Sequence, residues 1–350
     1  MKRKHKKTSA PKAKTVTVPS ASRNDPRRQA GAQAAAAAAA QLNRGDVRTA
    51  AGIIEQGLAA APNHPDLLHL GGQVALLTGD TAGGKELIRQ AIKTAPRVAL
   101  YHYNLGNALF AEDDLDGALA CFRQAVRLDP KFADAFTNLA LVFSRKKRHE
   151  EADAAFSAVA RLRPDDLQAH LNLAICRMEL RQPEQAITAI MRVEELAGEP
   201  DPALLHQIGN IYRGLGRHLV AEDYYRRALE QRPVAAEIWF VLGDVLAQAG
   251  DHGQALEALE KALDLGLETC WVKHRMARAM SNRGDIARAG ELLREAFEAA
   301  GDQIHCLTRI ANEYTLIGDF EAQEKCLGRV LELSLIHISE PTRLKTRSRM

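Results

Sequence analysis

The sequence predicts an all-α solenoid of about nine stacked helix pairs, and its proline spacing is the first reason. Pro62, Pro96, Pro130 and Pro164 are each 34 residues apart, and Pro233 follows 69 residues later, two periods plus one inserted residue. Aromatic residues are only 5% of the 350-residue chain, which suits closely packed helices better than sheets. A fixed internal period of this length is typical of stacked helical units rather than of separate globular domains.

Small residues at two positions of each repeat are the second reason, counting so that the closing Pro is the thirty-second position. The eighth position holds only Gly or Ala, at Ala38, Gly72, Gly106, Ala140, Ala174, Gly209, Gly243, Ala277 and Ala311. The twentieth is equally small in eight repeats, at Ala50, Gly84, Ala118, Ala152, Ala186, Ala221, Ala255 and Ala289. Because overpacking costs about 1–3 kcal/mol, we expect the two helices of a repeat to touch at these positions.

A Gly-Asp turn between the two helices is the third reason. Glycine ends a helix in the left-handed conformation at little cost, and aspartate then caps the next helix. The pair occurs in five repeats, at Gly45-Asp46, Gly79-Asp80, Gly250-Asp251, Gly284-Asp285 and Gly318-Asp319.

These features resemble the tetratricopeptide repeat family over roughly residues 31–335. The segment from Trp239 to Gly243, WFVLG, comes nearest to the family's W-x-x-L-G opening. The resemblance implies a right-handed solenoid whose first helices line a concave groove that holds a protein or peptide. We expect a disordered basic leader at 1–30, the solenoid at 31–332 with an insertion near 197–202, and an added tail at 333–350.

The tail breaks the repeat where a closing proline is due. Its segment LSLIHISEPTR, residues 333–343, resembles a translated sequencing adapter. We therefore expect residues 333–350 to be artefactual and the natural chain to be longer.

The net charge of +3 is unevenly distributed. The leader carries +9 and the tail +3, which leaves −9 for the residues between them. An acidic body is poorly suited to a phosphate backbone, so we expect no nucleic-acid partner beyond contacts of the leader.

The five cysteines show no C-x-x-C spacing, and no apolar run is long enough for a signal peptide or a membrane span. This pattern favours free thiols, a cytoplasmic protein and no membrane partner. The sequence says nothing about oligomeric state.

No residue pattern supports catalysis, a metal or a cofactor. Gly79 to Lys85 matches G-x-x-x-x-G-K, but Glu86 stands where a phosphate loop needs a hydroxyl, and no strand precedes it. His102 and His170 lie two repeats apart, which is too far to share one metal. We expect the residues present to have no enzymatic activity.

A ladder of amides is the best candidate binding site. Asn104, Asn138 and Asn172 are each 34 residues apart, Asn107 lies one turn beyond Asn104, and Asn210 takes the Asn107 position in a later repeat. The ladder resembles that of O-linked N-acetylglucosamine transferases, in which such amides hold a peptide main chain. The alternative is that asparagine is simply common at this position and bonds neighbouring loops.

A basic patch of Lys273, Arg275, Arg278 and Arg309 stands out in the acidic body. It could take an acidic peptide or a phosphate, and the alternative is a solvated charged face.

The function that fits these observations is a protein-interaction scaffold that binds a peptide in the groove. The alternative is the substrate-recruiting part of a larger enzyme whose catalytic domain is missing from this chain. A sulfotransferase is the first choice for that enzyme and a glycosyltransferase the second, and both rest on resemblance alone.

Overall fold

The computed structural model describes residues 26–267 and 270–339, and all regular structure in these ranges is α-helical. The prediction of an all-α chain of packed helix pairs is confirmed. The chain divides into two compact units, one up to Leu180 and one from Arg181 onward.

The described part of the first unit contains nine helices, in which each odd-numbered helix up to α7 packs against the next even-numbered one. They are α1 (Pro26–Asn43), α2 (Val47–Ala60), α3 (Pro65–Leu77), α4 (Thr81–Thr94), α5 (Ala99–Ala111), α6 (Leu115–Leu128), α7 (Ala133–Arg145), α8 (His149–Leu162) and α9 (Leu167–Glu179). The first helices of successive repeats also touch, α1 with α3, α3 with α5 and α5 with α7. Side chains on these helices therefore form one continuous strip.

The second unit continues the same pattern with α11–α12, α13–α14, α15–α16 and α17–α18 as pairs. Its helices are α10 (Pro183–Ala197), α11 (Pro202–Gly214), α12 (His218–Gln231), α13 (Ala236–Ala249), α14 (His252–Asp264), α15 (Cys270–Asn282), α16 (Ile286–Ala300), α17 (Ile304–Ile317) and α18 (Phe320–Ser339). Here α15 touches both α13 and α17, so the first helices again form a strip.

The small residues at the eighth and twentieth positions lie where the paired helices cross, as predicted. A Cβ added at Gly72 would lie 2.7 Å from the carbonyl oxygen of Gly84 on the facing helix. One added at Gly106 would lie 2.6 Å from the ring of Phe122. Neither distance leaves space for a methyl group, so the close crossing depends on these small residues.

The Gly-Asp turns have the predicted geometry. Gly79 has φ +94, and the Asp80 carboxylate accepts a hydrogen bond of 2.9 Å from the backbone N–H of Gly83. The turn between α5 and α6 uses Asp113 at φ 62 instead, and that between α7 and α8 uses Lys147 at φ 56. Since a side chain is strained there, these two turns are less favourable than the glycine turns.

A hydrogen bond that the sequence did not reveal joins successive repeats. A ring N–H at the fourth position donates to the carbonyl oxygen of the proline that closes the preceding repeat, at 2.8–2.9 Å. The pairs are His102 with Pro96, His170 with Pro164, and Trp239 with Pro233. The two histidines make the same bond as the Trp239 indole, because an imidazole N–H is also a donor.

The expectation of free thiols is wrong for two of the five cysteines. Cys270 on α15 and Cys306 on α17 form a disulfide, with their Cα atoms 6.8 Å apart. They are 36 residues apart in sequence, one period plus two, so stacking brings them together without any local cysteine motif. Cys121, Cys176 and Cys326 are free.

The ends of the described region differ from the expected boundaries. Helix α1 begins at Pro26, inside the expected leader, whose residues 1–25 lie outside the described ranges. Helix α18 continues to Ser339, and Leu333 is buried in the last cluster of apolar side chains. The apolar residues that follow Glu332 allow the helix to continue, and residues 340–350 of the expected tail lie outside the described ranges. At the expected insertion, α10 ends at Ala197 and Asp201 caps α11.

Candidate functional site

Four half-buried asparagines on α5, α7 and α9 form what we call the amide strip: Asn104, Asn107, Asn138 and Asn172. Two of them bond directly across neighbouring repeats, since Asn138 Nδ2 donates to Asn107 Oδ1 at 2.7 Å. The Asn138 amide also lies 3.5 Å from the hydroxyl of Tyr103. This part of the predicted ladder therefore joins neighbouring repeats.

His69 extends the strip onto α3. The Asn104 side-chain amide lies 2.7 Å from His69 Nε2. Burial lowers the pKa of His69 to about 3, so the imidazole is neutral at pH 7 and its Nε2 accepts this bond. The ring packs against that of Tyr101, with centroids 4.6 Å apart and the ring planes tilted by 30°, and the Tyr101 hydroxyl donates to the carboxylate of Asp66. Asn104 is therefore held in place by a buried network.

In each asparagine of the strip, one polar atom of the side-chain amide is hydrogen-bonded to another described residue and the other polar atom is not. Asn172 accepts a hydrogen bond of 3.1 Å from Gln168, which leaves its nitrogen open. Within the described ranges no protein group bonds the other ends, which are Asn104 Oδ1, Asn107 Nδ2, Asn138 Oδ1 and Asn172 Nδ2. An extended main chain presents both donors and acceptors, so it can satisfy amides of this kind.

A cavity of about 530 Å³ adjoins the first two amides of the strip. Asn104 and Asn107 form part of its wall, and the Gln73 Oε1 atom at its edge is buried without a hydrogen-bond partner. Most of the remaining wall is apolar, from Leu42, Leu76, Leu77, Ala108 and Ala111. Such a combination of apolar wall and a few polar groups is typical of binding grooves.

Asn210 is on α11 of the second unit. Its Oδ1 accepts a hydrogen bond of 2.9 Å from the hydroxyl of Tyr225 in its own repeat. Burial raises the pKa of Tyr225 to about 12, so this hydroxyl stays protonated and keeps donating. Only the nitrogen of Asn210 is left for a partner.

The second unit carries a charged counterpart, which we call the arginine strip: Arg213, Arg275, Arg278 and Arg309. It is built around the buried carboxylate of Asp244 on α13. Arg275 Nε lies 3.0 Å from one carboxylate oxygen, and Arg213 Nη1 lies 3.3 Å from the other. Gln248 also donates to Asp244, at 3.0 Å. The carboxylate thus bridges arginines from the repeat before and the repeat after its own.

The two remaining arginines of the strip carry charges that no carboxylate balances. Arg278 and Arg309 are exposed, and no described acidic side chain lies within ion-pair distance of either. The Arg309 guanidinium carbon lies 5.7 Å from the centre of the Trp271 ring, which favours a cation–π contact. Burial lowers the pKa of Arg275, and the positive charges of Arg278, Arg309 and Arg213 lower it further, while Asp244 opposes them.

The basic patch predicted from the sequence is only partly the cluster that the structure forms. Arg275, Arg278 and Arg309 belong to the arginine strip, whereas the Lys273 amine lies 3.4 Å from the carboxylate of Glu295 on α16. Sequence reasoning missed Arg213 and Asp244 because they lie on other helices. A usable signal was present, since Arg213, Asp244 and Arg275 are spaced by 31 residues, as are Asn107 and Asn138.

The other candidate chemistry has a structural explanation. Gly84 lies in α4 against Gly72, and the Lys85 amine pairs with Glu112, so the segment from Gly79 is a turn and a helix start. Within residues 26–267 and 270–339 no group of three or more acidic, histidine or cysteine side chains could hold a metal ion. The helices in the same ranges include none that is both long and apolar enough to cross a membrane.

Family models match the middle of the chain in three overlapping segments. A tetratricopeptide repeat model matches residues 206–266, a second matches residues 144–207, and a TPR repeat model matches residues 106–147. This chain is a tetratricopeptide repeat protein. No curated protein matches it in sequence.

Several solved structures are similar to this tetratricopeptide repeat protein. YrrB, described as a TPR protein with an unusual peptide-binding site, is 26% identical with a TM-score of 0.46, and the match covers 54% of this chain and 97% of YrrB. MamA from Desulfovibrio magneticus is 20% identical with a TM-score of 0.43, over 48% of this chain and 94% of MamA. A tetratricopeptide repeat protein from Parabacteroides merdae is 14% identical with a TM-score of 0.49, and the match covers 72% of this chain and 99% of that protein.

The family assignment fixes the general role. Proteins built from these repeats bind peptide or protein partners, so this tetratricopeptide repeat protein is a protein-interaction scaffold. The family models match repeats that are typical of binding proteins rather than of enzymes.

Proposed function

We propose that the scaffold holds an extended peptide against the amide strip, through hydrogen bonds to the peptide main chain. The observation that carries this proposal is that Asn104, Asn107, Asn138 and Asn172, on the first helices α5, α7 and α9, each have one polar side-chain atom that no described protein group bonds. An amide can serve either a main-chain N–H or a carbonyl. Binding of this kind tolerates many peptide sequences.

The cavity beside Asn104 and Asn107 adds a second contribution. Its apolar wall receives side chains of the peptide, and the unpartnered Gln73 Oε1 atom accepts one more main-chain hydrogen bond. A buried polar atom without a partner costs about 1–3 kcal/mol, so filling the groove relieves that cost. The peptide thus gains affinity from burial and main-chain bonds together.

The test uses a labelled peptide without charged side chains, acetyl-(Thr-Gln)6-amide, with binding followed by fluorescence anisotropy. Replacing all four asparagines by Ala removes bonds worth about 0.5–1.5 kcal/mol each, so affinity should fall at least about tenfold. The helical circular dichroism should stay unchanged. The proposal is wrong if wild type and variant bind this peptide equally, or if wild type does not bind it.

A matched control removes four amides elsewhere in the same unit. Gln56, Asn63, Gln90 and Gln124 lie on second helices or in a connecting loop. Replacing these four by Ala should leave the affinity for the peptide within about twofold of wild type, because none of them is on the strip.

The alternative of a substrate-recruiting part of a larger sulfotransferase or glycosyltransferase stays a prediction by resemblance. No feature of the described residues favours it over a scaffold that acts alone. Main-chain recognition by the amide strip fits either protein.

A further inference from the structure

A sequence spacing that recurs in the arginine strip indicates what kind of ligand Arg278 and Arg309 can bind. Three pairs of polar side chains on first helices that are 31 residues apart in sequence, one period minus one helical turn, meet across the seam between repeats. Asn107 bonds Asn138 at this spacing, Arg213 pairs with Asp244, and Asp244 pairs with Arg275. The same spacing separates Arg278 on α15 from Arg309 on α17.

Arg278 and Arg309 have the same spacing as these three pairs, but both are positive. In the pairs with Asp244, the carboxylate lies between two guanidinium groups and balances them. No described carboxylate does this for Arg278 and Arg309. Two like charges repel each other, and an anion placed between them would convert that repulsion into two charge-assisted hydrogen bonds.

We propose that Arg278 and Arg309 clamp a carboxylate side chain of an acidic segment in the bound partner, in the way that Arg213 and Arg275 clamp Asp244. The proposal rests on the proposed function, since it assumes that a peptide binds along first helices and adds that an acidic side chain of the peptide lies at these two arginines. Asp244 acts as a positioning residue, because it fixes Arg275 and Arg213 and leaves the neighbouring guanidiniums open.

Charge and geometry favour an acidic peptide as the occupant. The strip carries four positive groups and one negative group in a body whose residues outside the two termini sum to −9. The positive electrostatic potential of such a local excess of charge attracts an anionic segment from solution. The open arginines lie on two neighbouring first helices, about 8–10 Å apart as packed helices are. An extended peptide spans that distance in about three residues.

The test compares acetyl-(Thr-Glu)6-amide with acetyl-(Thr-Gln)6-amide, using the full chain at low and physiological salt. Wild type should bind the acidic peptide about tenfold more tightly than the neutral one at 50 mM salt, roughly the worth of one charge-assisted hydrogen bond. The difference should shrink as salt rises. The Arg278→Gln, Arg309→Gln double variant should lose this preference and keep its affinity for the neutral peptide.

A matched control removes the same amount of charge from the repeat that contains Arg278. Arg283 and Arg294 are exposed and lie off the first helices. The Arg283→Gln, Arg294→Gln variant should keep the tenfold preference for the acidic peptide. If it loses the preference as fully as the strip variant does, the effect is one of overall charge and the clamp is wrong.

The remaining outcomes separate this inference from the proposed function. Equal wild-type affinity for the two peptides overturns the clamp and leaves main-chain binding standing. Failure to bind either peptide overturns both. A peptide of the same length with one phosphoserine that binds more than tenfold tighter than the glutamate peptide would overturn the carboxylate assignment in favour of a phosphorylated partner.

Discussion

The side-chain amide of Asn138 donates a 2.7 Å hydrogen bond to the side-chain oxygen of Asn107, which lies in the preceding repeat. The bond joins α5 to α7 on the face that we propose to bind a peptide. The residues that we propose to bind a partner thus also join repeats. A ligand can therefore alter the seam between repeats, and a change at the seam can alter the ligand site.

The coupling between these two asparagines can be measured directly. Asn107→Ala and Asn138→Ala should each destabilise the fold, and the double variant should cost less than the sum by about 0.5–1.5 kcal/mol, the net worth of one hydrogen bond. Urea unfolding followed by circular dichroism gives the four free energies. The same cycle on Asn107 and Asn172, which do not bond each other, should be additive, and a coupling there as large as that of the bonded pair would contradict the assignment.

The helix crossing in the second repeat should be less tolerant than that in the third. Gly72→Ala places a methyl group against the backbone oxygen of Gly84, which cannot move without shifting the helix, so we expect a loss of about 1–3 kcal/mol. Gly106→Ala places it against the Phe122 ring, which can rotate or shift. Thermal unfolding should therefore show a larger decrease for Gly72→Ala, and the reverse order would contradict this explanation.

The turn between α7 and α8 should be stabilised by glycine. Lys147 is exposed and holds φ 56, a conformation that costs a residue with a Cβ about 1 kcal/mol. Lys147→Gly should therefore raise the free energy of unfolding by up to that amount in urea titrations. The control is Lys131→Gly, which removes the same side chain from a turn residue outside the left-handed region and should give no increase.

His69 should make stability fall in mild acid. Its pKa is lowered to about 3 in the folded protein by burial, against about 6.5 in the unfolded chain, so protons bind the unfolded state first as the pH falls. The contribution of His69 to the free energy of unfolding is therefore complete above about pH 6.5. It is lost between about pH 6.5 and 3, at no more than about 1.4 kcal/mol per pH unit.

The comparison that isolates this effect is His69→Gln, which cannot be charged but can still accept the bond from Asn104. Between pH 7 and 4.5 the free energy of unfolding of wild type should decrease relative to that of this variant. The exposed His305→Gln serves as the control for removing an imidazole elsewhere in the chain. A parallel pH dependence in wild type and His69→Gln would show that His69 is not the group responsible.

The period of the sequence was sufficient to predict the helix pairs, the crossing residues and the glycine turns, because each depends on one residue type at a fixed position. The contacts between repeats were harder to predict. Asn104, Asn138 and Asn172 share a repeat position, but the bonded partners are Asn107 and Asn138, which differ by three positions. This offset of three positions depends on how neighbouring helices pack against each other. It therefore cannot be read from the sequence of any one repeat.

The same limit explains the charged site. Lys273 was grouped with Arg275 because the two are close in sequence, yet they belong to different ion pairs. Arg213 and Asp244 were not recognised because each looks like an ordinary surface charge within its own repeat. The disulfide between Cys270 and Cys306 was missed for a related reason, since a search for local cysteine motifs cannot detect a contact made through stacking.

The disulfide between Cys270 and Cys306 has a mechanical consequence. In arrays whose repeats contact only their neighbours, tension is taken up by small displacements at every junction. The covalent link between α15 and α17 limits displacement at this one junction. Arg278 and Arg309 lie on those same two helices, so the link also limits how far the two arginines can move apart.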